Sequence, residues 1–119
     1  MKLLYSATAP INAPLADVLP LIDGDFALDV MVPPAARAHV DVDHRPGVLG
    51  FQGHWWYRGE LEATATPTGT DLTYRVYNIA KRGSAWAVPL ANKLFIGYDQ
   101  TVRAGVTGVA AAIERHLAT

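Results

Sequence analysis

The chain has 119 residues, 10 basic and 11 acidic side chains and no cysteine, and half of its positions are apolar. One domain is expected, because a second would leave each half too small for a core without disulfides or metal. A net charge of −1 offers no field to attract a nucleic-acid backbone, and the lack of thiols removes disulfides, thiolate metal sites and a cysteine nucleophile together.

Charged residues make up 18% of the chain against a usual ~25%, so the sequence carries more apolar groups than so small a domain needs for an ordinary core. Residues 1–9 resemble a secretion signal only superficially, since their apolar core, residues 3–5, is well short of the ~7–15 residues that export requires. No stretch approaches the ~18 uncharged apolar residues of a membrane span. The expectation is a soluble, cytoplasmic protein with no membrane span.

Residues 2–11 are rich in small and β-branched side chains and run into two prolines, which predicts an extended segment. A short helix over 14–19 follows, with Asn12 as its cap and Pro14 in its first turn. Leu15, Val18, Leu19 and Ile22 share one face of it, and Pro20 with Asp23-Gly24-Asp25 limits it to two or three turns. Over 26–34 the alternation of Phe26, Leu28, Val30 and Val32 permits a strand, ended by Pro33-Pro34.

The pattern then sharpens. Ala36, Ala38, Val40 and Val42 alternate with Arg37, His39, Asp41 and Asp43, the period-two signature of a sheet wet on one face. Arg45-Pro46-Gly47 reads as a turn. Further strands are expected over 48–57, 60–66 and 71–79, with a hairpin at Thr66-Pro67-Thr68-Gly69-Thr70. Leu61, Ala63 and Ala65 point inward and Glu60, Glu62 and Thr64 toward water. Leu72, Tyr74, Val76 and Asn78 form the inner face of the last strand, which places Arg75 in solvent.

After a loop over 80–88, Leu90, Leu94, Tyr98, Val102, Val106, Val109, Ile113 and Leu117 recur at three- or four-residue steps. They predict a helix over 89–117, roughly 40 Å long at ~1.5 Å per residue. Gly97, Gly105 and Gly108 sit inside it at up to ~1 kcal/mol each relative to alanine, which suggests a bend or a close approach. The order is α+β: strand, short helix, antiparallel meander, long terminal helix. So long an apolar stripe finds cover only in the concavity of a curved sheet.

At this point the chain resembles, in a short form, the helix-grip superfamily (SRPBCC). That group includes START lipid-transfer domains, the birch-pollen-allergen fold and polyketide cyclase/dehydrase-like proteins. The residues that carry the likeness are Ile11-Asn12-Ala13-Pro14-Leu15-Ala16-Asp17-Val18-Leu19-Pro20-Leu21-Ile22-Asp23, similar to the family's opening I-x-A-P-x-x-x-V-x-x-L-I-x-D. Gly69-Thr70-Asp71-Leu72-Thr73-Tyr74 resembles its G-T-x-L/V-x-Y turn and strand. Ala112-Ile113-Glu114-Arg115-His116-Leu117 fits its closing helix. The resemblance implies a single helix-grip domain over residues 1–119, a curved antiparallel sheet wrapped around the C-terminal helix. No catalytic signature comes with it, because enzymes, carriers and regulators share the fold.

The leading expectation is an apolar cavity between sheet and helix that holds a small apolar molecule, a lipid or polyketide-like ligand. Its candidate lining is Phe51, Trp55, Trp56, Tyr74, Val76, Asn78, Trp86, Leu94, Phe95, Tyr98 and Val102. Aromatics suit such a site because each gives large rigid contact area, and Tyr and Trp add a polar handle. Of Trp55 and Trp56, neighbours on one strand, one points inward and the other outward. The first alternative is a cyclase/dehydrase-like enzyme in which His54, or Asp99 with Tyr98, moves a proton. The second is a non-catalytic interaction protein with a filled core, monomer or homodimer. His39, His44, His54 and His116 lack the close spacing of a zinc site, so no metal or cofactor is expected. His116 fits the last turn of the helix, where its charge meets the helix dipole. Arg58 with Lys81-Arg82-Gly83 is a candidate for an anionic head group at the cavity mouth.

Overall fold

A computed structural model of the chain describes residues 2–32, 34–53, 57–78 and 98–119. Its elements in chain order are β1 (Lys2–Ile11), α1 (Leu15–Asp23), α2 (Phe26–Met31), a 3-10 helix (Pro34–His39), β2 (Val40–Arg45), β3 (Val48–Gly53), β4 (Tyr57–Thr66), β5 (Gly69–Asn78) and α3 (Tyr98–Leu117). The strands form one open antiparallel sheet in the order β1-β5-β4-β3-β2. The α+β arrangement expected from the sequence is therefore present, with the N-terminal strand inserted at one edge beside β5 and the meander completing the rest.

Helix α1 begins without the expected Asn12 cap. Pro14 holds the N-cap position in an extended conformation, and its carbonyl accepts the N–H groups of Asp17 at 3.0 Å and Val18 at 3.3 Å. Asn12 instead donates its backbone N–H to Glu114 Oε1 at 2.9 Å, tying the end of β1 to α3. The Thr70 hydroxyl, buried, donates to the Ala13 carbonyl at 2.8 Å and pins the same corner.

Residues 26–31 are a helix, not the strand that alternation allowed. Apolar side chains at nearly every position satisfy both periods, and burial of Ala27 and Leu28 against the core decides for the helix. Val32, which precedes Pro33, is extended at φ −124° and ψ 103°, as the proline ring requires of its neighbour. The stretch 34–39 is 3-10 helix, so the first meander strand starts at Val40 rather than Ala36.

The β2–β3 turn depends on Gly47, which sits at φ +74°, a left-handed conformation that glycine adopts freely. The turn is fastened to α1 by the Gly47 N–H donating to Asp23 Oδ1 at 3.0 Å, and to β4 by the Ala63 N–H donating to the Gly47 carbonyl at 3.0 Å.

The core lies between the inner sheet face and the helices. Leu49, Leu61, Leu72 and Val76 from the sheet are fully buried with Val18 and Ile22 of α1 and Val106, Val109 and Ile113 of α3. Helix α3 packs chiefly on β1 and β5, and α2 packs on α3. The expected helical stripe is confirmed from Val102 onward, while Leu90, Leu94 and Gly97 lie outside the described residues. The two described glycines of α3 differ. A Cβ on Gly105 would meet the Tyr74 ring at 3.5 Å, ordinary van der Waals contact. At Gly108 nothing among the described residues lies within 4 Å, so its described surroundings give no reason for the glycine. Gly108→Ala is expected to raise stability by about 0.5–1 kcal/mol through helix propensity and a less flexible unfolded chain. A rise in the urea midpoint checks this, and a fall contradicts open surroundings.

Candidate functional site

The inner sheet face carries the described part of the expected apolar lining. The strand register aligns Val42, Phe51, Gly59, Val76 and Tyr5 in one row across all five strands, and Leu49, Leu61, Tyr74 and Ala7 in the next. Phe51, Tyr74 and Val76 are buried there, and Val102 is buried on α3. The rings of Phe51 and Tyr74 stand 5.9 Å apart at 41°, a tilted aromatic pair. Gly59 occupies the middle of its row and is buried without a side chain, so the floor between Phe51 and Val76 is bare backbone. A glycine inside a strand often marks such a close-approach point, and Gly59 within Tyr57-Arg58-Gly59-Glu60 is its signal in the sequence.

The remaining candidates divide in two. Asn78 ends β5 opposite Lys2 and Tyr57, two positions beyond Val76, and Tyr98 and Asp99 open α3. His54, Trp55, Trp56, Trp86, Leu94 and Phe95, with Lys81 and Arg82, lie outside the described residues.

The outer sheet face departs from expectation. Glu60 is not a solvated carboxylate: the residue is 5% exposed. The register sets Asp43, Gly50, Glu60 and Arg75 side by side across β2 to β5, and long guanidinium side chains close over the middle. Glu60 Oε2 accepts from Arg58 Nε at 3.0 Å and Arg45 Nη2 at 3.4 Å, and its Oε1 lies 3.8 Å from Arg75 Nη2. Arg75 is not free in water either, since it donates to Glu62 Oε1 at 2.8 Å.

Arg58 is the centre of this lattice. Besides Glu60 it donates twice to Asp43, at 2.8 and 2.9 Å, and to Gln52 Oε1 at 3.3 Å. The fork passes over Gly50, where a Cβ would collide with both Asp43 Oδ1 and Arg58 Nη2. Hydrogen bonding from Arg58 holds the Asp43 carboxyl below the usual carboxylate range, outweighing the opposite effect of burial. With its donors committed to protein carboxylates, Arg58 is withdrawn from the expected role in gripping an anionic head group.

At the opposite end of the sheet, an open cleft of about 410 Å³ is lined by Asn12, Thr66, Thr68, Thr70, Asp71, Glu114, Pro10 and Ile11. Six of these eight residues have polar side chains, and none of the expected apolar lining reaches the cleft. His116 lies exposed in the last turn of α3, its ring 4.5 Å from that of Phe26. Among the described residues no group of three His, Asp or Glu side chains gathers as a metal site, and no helix is long and apolar enough to cross a membrane.

No family model, no curated protein and no solved structure matches the chain.

Proposed function

We propose that the chain is a helix-grip domain that binds or carries a small hydrophobic molecule, a lipid or polyketide-like compound, between the inner sheet face and α3. The observation that supports this most is the buried tilted pair of Phe51 and Tyr74 beside the side-chain-free backbone of Gly59. Rigid aromatic walls flanking a bare strip of strand suit a flat or chain-like apolar ligand, which gains from burial in proportion to its contact area. The apolar excess of the sequence and its likeness to lipid-binding and cyclase-like domains point the same way.

The test is titration with fatty acids and polycyclic aromatics while following tryptophan emission, together with native mass spectrometry of the freshly purified protein. Saturable binding is expected, weakened about tenfold by Phe51→Ala, on the scale of about 1.4 kcal/mol for one lost aromatic contact. Silence across the panel with no copurified apolar molecule overturns the reading.

A further inference from the structure

Strand β2 is an edge strand, as β1 is, but β1 buries Ala9 and Ile11 while β2 is held with less. Among the described residues it hydrogen-bonds only to β3, and none of its six side chains is fully buried. Val40 and Val42 are half-covered, while Asp41, Asp43, His44 and Arg45 are exposed. Its partner β3, by contrast, buries Val48, Leu49 and Phe51. Little apolar area therefore fastens β2 to the sheet. Beyond the ladder to β3 and the partly buried packing of Val40 and Val42 on the core, the side-chain bonds that cross from β2 are ionic: the two-pronged Asp43–Arg58 bridge over Gly50 and the longer Arg45–Glu60 contact.

We propose that β2 is a latched flap, a strand that peels from β3 while the other four stay paired, and that the Asp43–Arg58 bridge seated over Gly50 is its latch. Segments with few buried apolar contacts open at a fraction of the global free energy. Arg58 stays behind when the latch releases, because Glu60 still holds its Nε. Opening removes Val42 from beside its register partner Phe51 and so bares the flank of the inner-face aromatic pair. That this bared flank admits a ligand rests on the binding reading above; the opening itself does not, and it is measured without ligand.

Native-state hydrogen exchange of the full chain tests the latch in the wild type, Asp43→Asn, Gly50→Ala and Glu62→Gln. Asp43→Asn removes the ionic partner. Gly50→Ala pushes the bridge aside with a methyl group while leaving both charges in place. Glu62→Gln breaks an ion pair on the same face away from β2 and serves as the control. In the first two variants the β2–β3 amides should exchange about three- to tenfold faster, the range for losing a partly exposed two-pronged pair. The amides of β5 and α3 should keep their wild-type rates, and Glu62→Gln should leave β2 unchanged. High salt should bring wild-type β2 exchange toward that of Asp43→Asn, because exposed charge is screened. Wild-type β2 amides as protected as those of β5, equal acceleration of all elements, or β2 rates indifferent to Asp43→Asn and Gly50→Ala would each overturn the proposal.

Discussion

Glu60→Gln is expected to lower the unfolding free energy by about 2–3 kcal/mol, near the upper end for charged hydrogen bonds and below the ~3–5 kcal/mol seen when a fully buried pair is broken. The reduction from that upper figure follows from geometry. Glu60 and Arg58 have side chains only 7% and 11% exposed, but Arg75 is 22% and Arg45 62% exposed, so water partly replaces the lost partner for the last two. The amide keeps the shape of the carboxylate yet loses its charge, and its NH₂ group meets guanidinium donors if it takes the place of either oxygen. Urea unfolding checks this as a lower midpoint with an unchanged slope. A cycle with Arg58→Gln separates pairing from packing, since Glu60→Gln should cost far less once its closest partner is gone. A single-variant loss below about 0.5 kcal/mol, the level of ordinary surface changes, would mean that Glu60 is solvated as its place on the strand had suggested.

That place shows what sequence pattern encodes. Alternation assigned Leu61, Leu72, Tyr74 and Val76 to the inner face, and all four are buried there. It equally assigned Glu60 and Arg75 to the outer face, which is where they stand. Alternation reports direction, though, and not exposure. Glu60 is covered because Arg45, Arg58 and Arg75 converge on it from three strands, and that convergence depends on cross-strand register, which no local window contains. The signal that could have shown it was Gly50, a glycine inside an otherwise regular strand, which leaves room for a side chain to lie across the backbone.

Helix α2 was hidden for the opposite reason. Its composition satisfied two periods at once, so only tertiary burial of Ala27 and Leu28 separates them. The turn at Gly47 was legible because its chemistry is local: proline followed by glycine specifies the backbone whatever surrounds it. Four of the eleven residues expected to line an apolar site are buried among the described residues. Phe51, Tyr74, Val76 and Val102 follow from period and parity, whereas the gap at Gly59 between two of them is a matter of register.

Ile113→Ala carries the other large effect, an expected loss of about 2–5 kcal/mol, the range for truncating a buried branched side chain to a methyl group. Ile113 is fully buried in the cluster that joins α3 to the sheet and to α1. Intrinsic propensity supports the Ala110-Ala111-Ala112 half of α3 but gives its first half little. Val102, Val106, Val109, Thr101, Thr107 and two glycines occupy its 20 described residues, and β-branched residues and glycine are poor helix formers. A segment of that composition is marginal in isolation, so its helicity comes from the face it buries. Removing Ile113 should therefore lower the urea midpoint of the whole domain and raise exchange along α3 itself. Ile113→Val, which keeps the branch and deletes one methylene, should lose only about 0.5–1.5 kcal/mol. Gly108→Ala points away from that packing and acts through propensity alone, so in the Ile113→Ala background it should restore about the same 0.5–1 kcal/mol as in the wild type. A small loss for Ile113→Ala would show that α3 is not seated on the sheet, and the binding site proposed beneath it would have no roof.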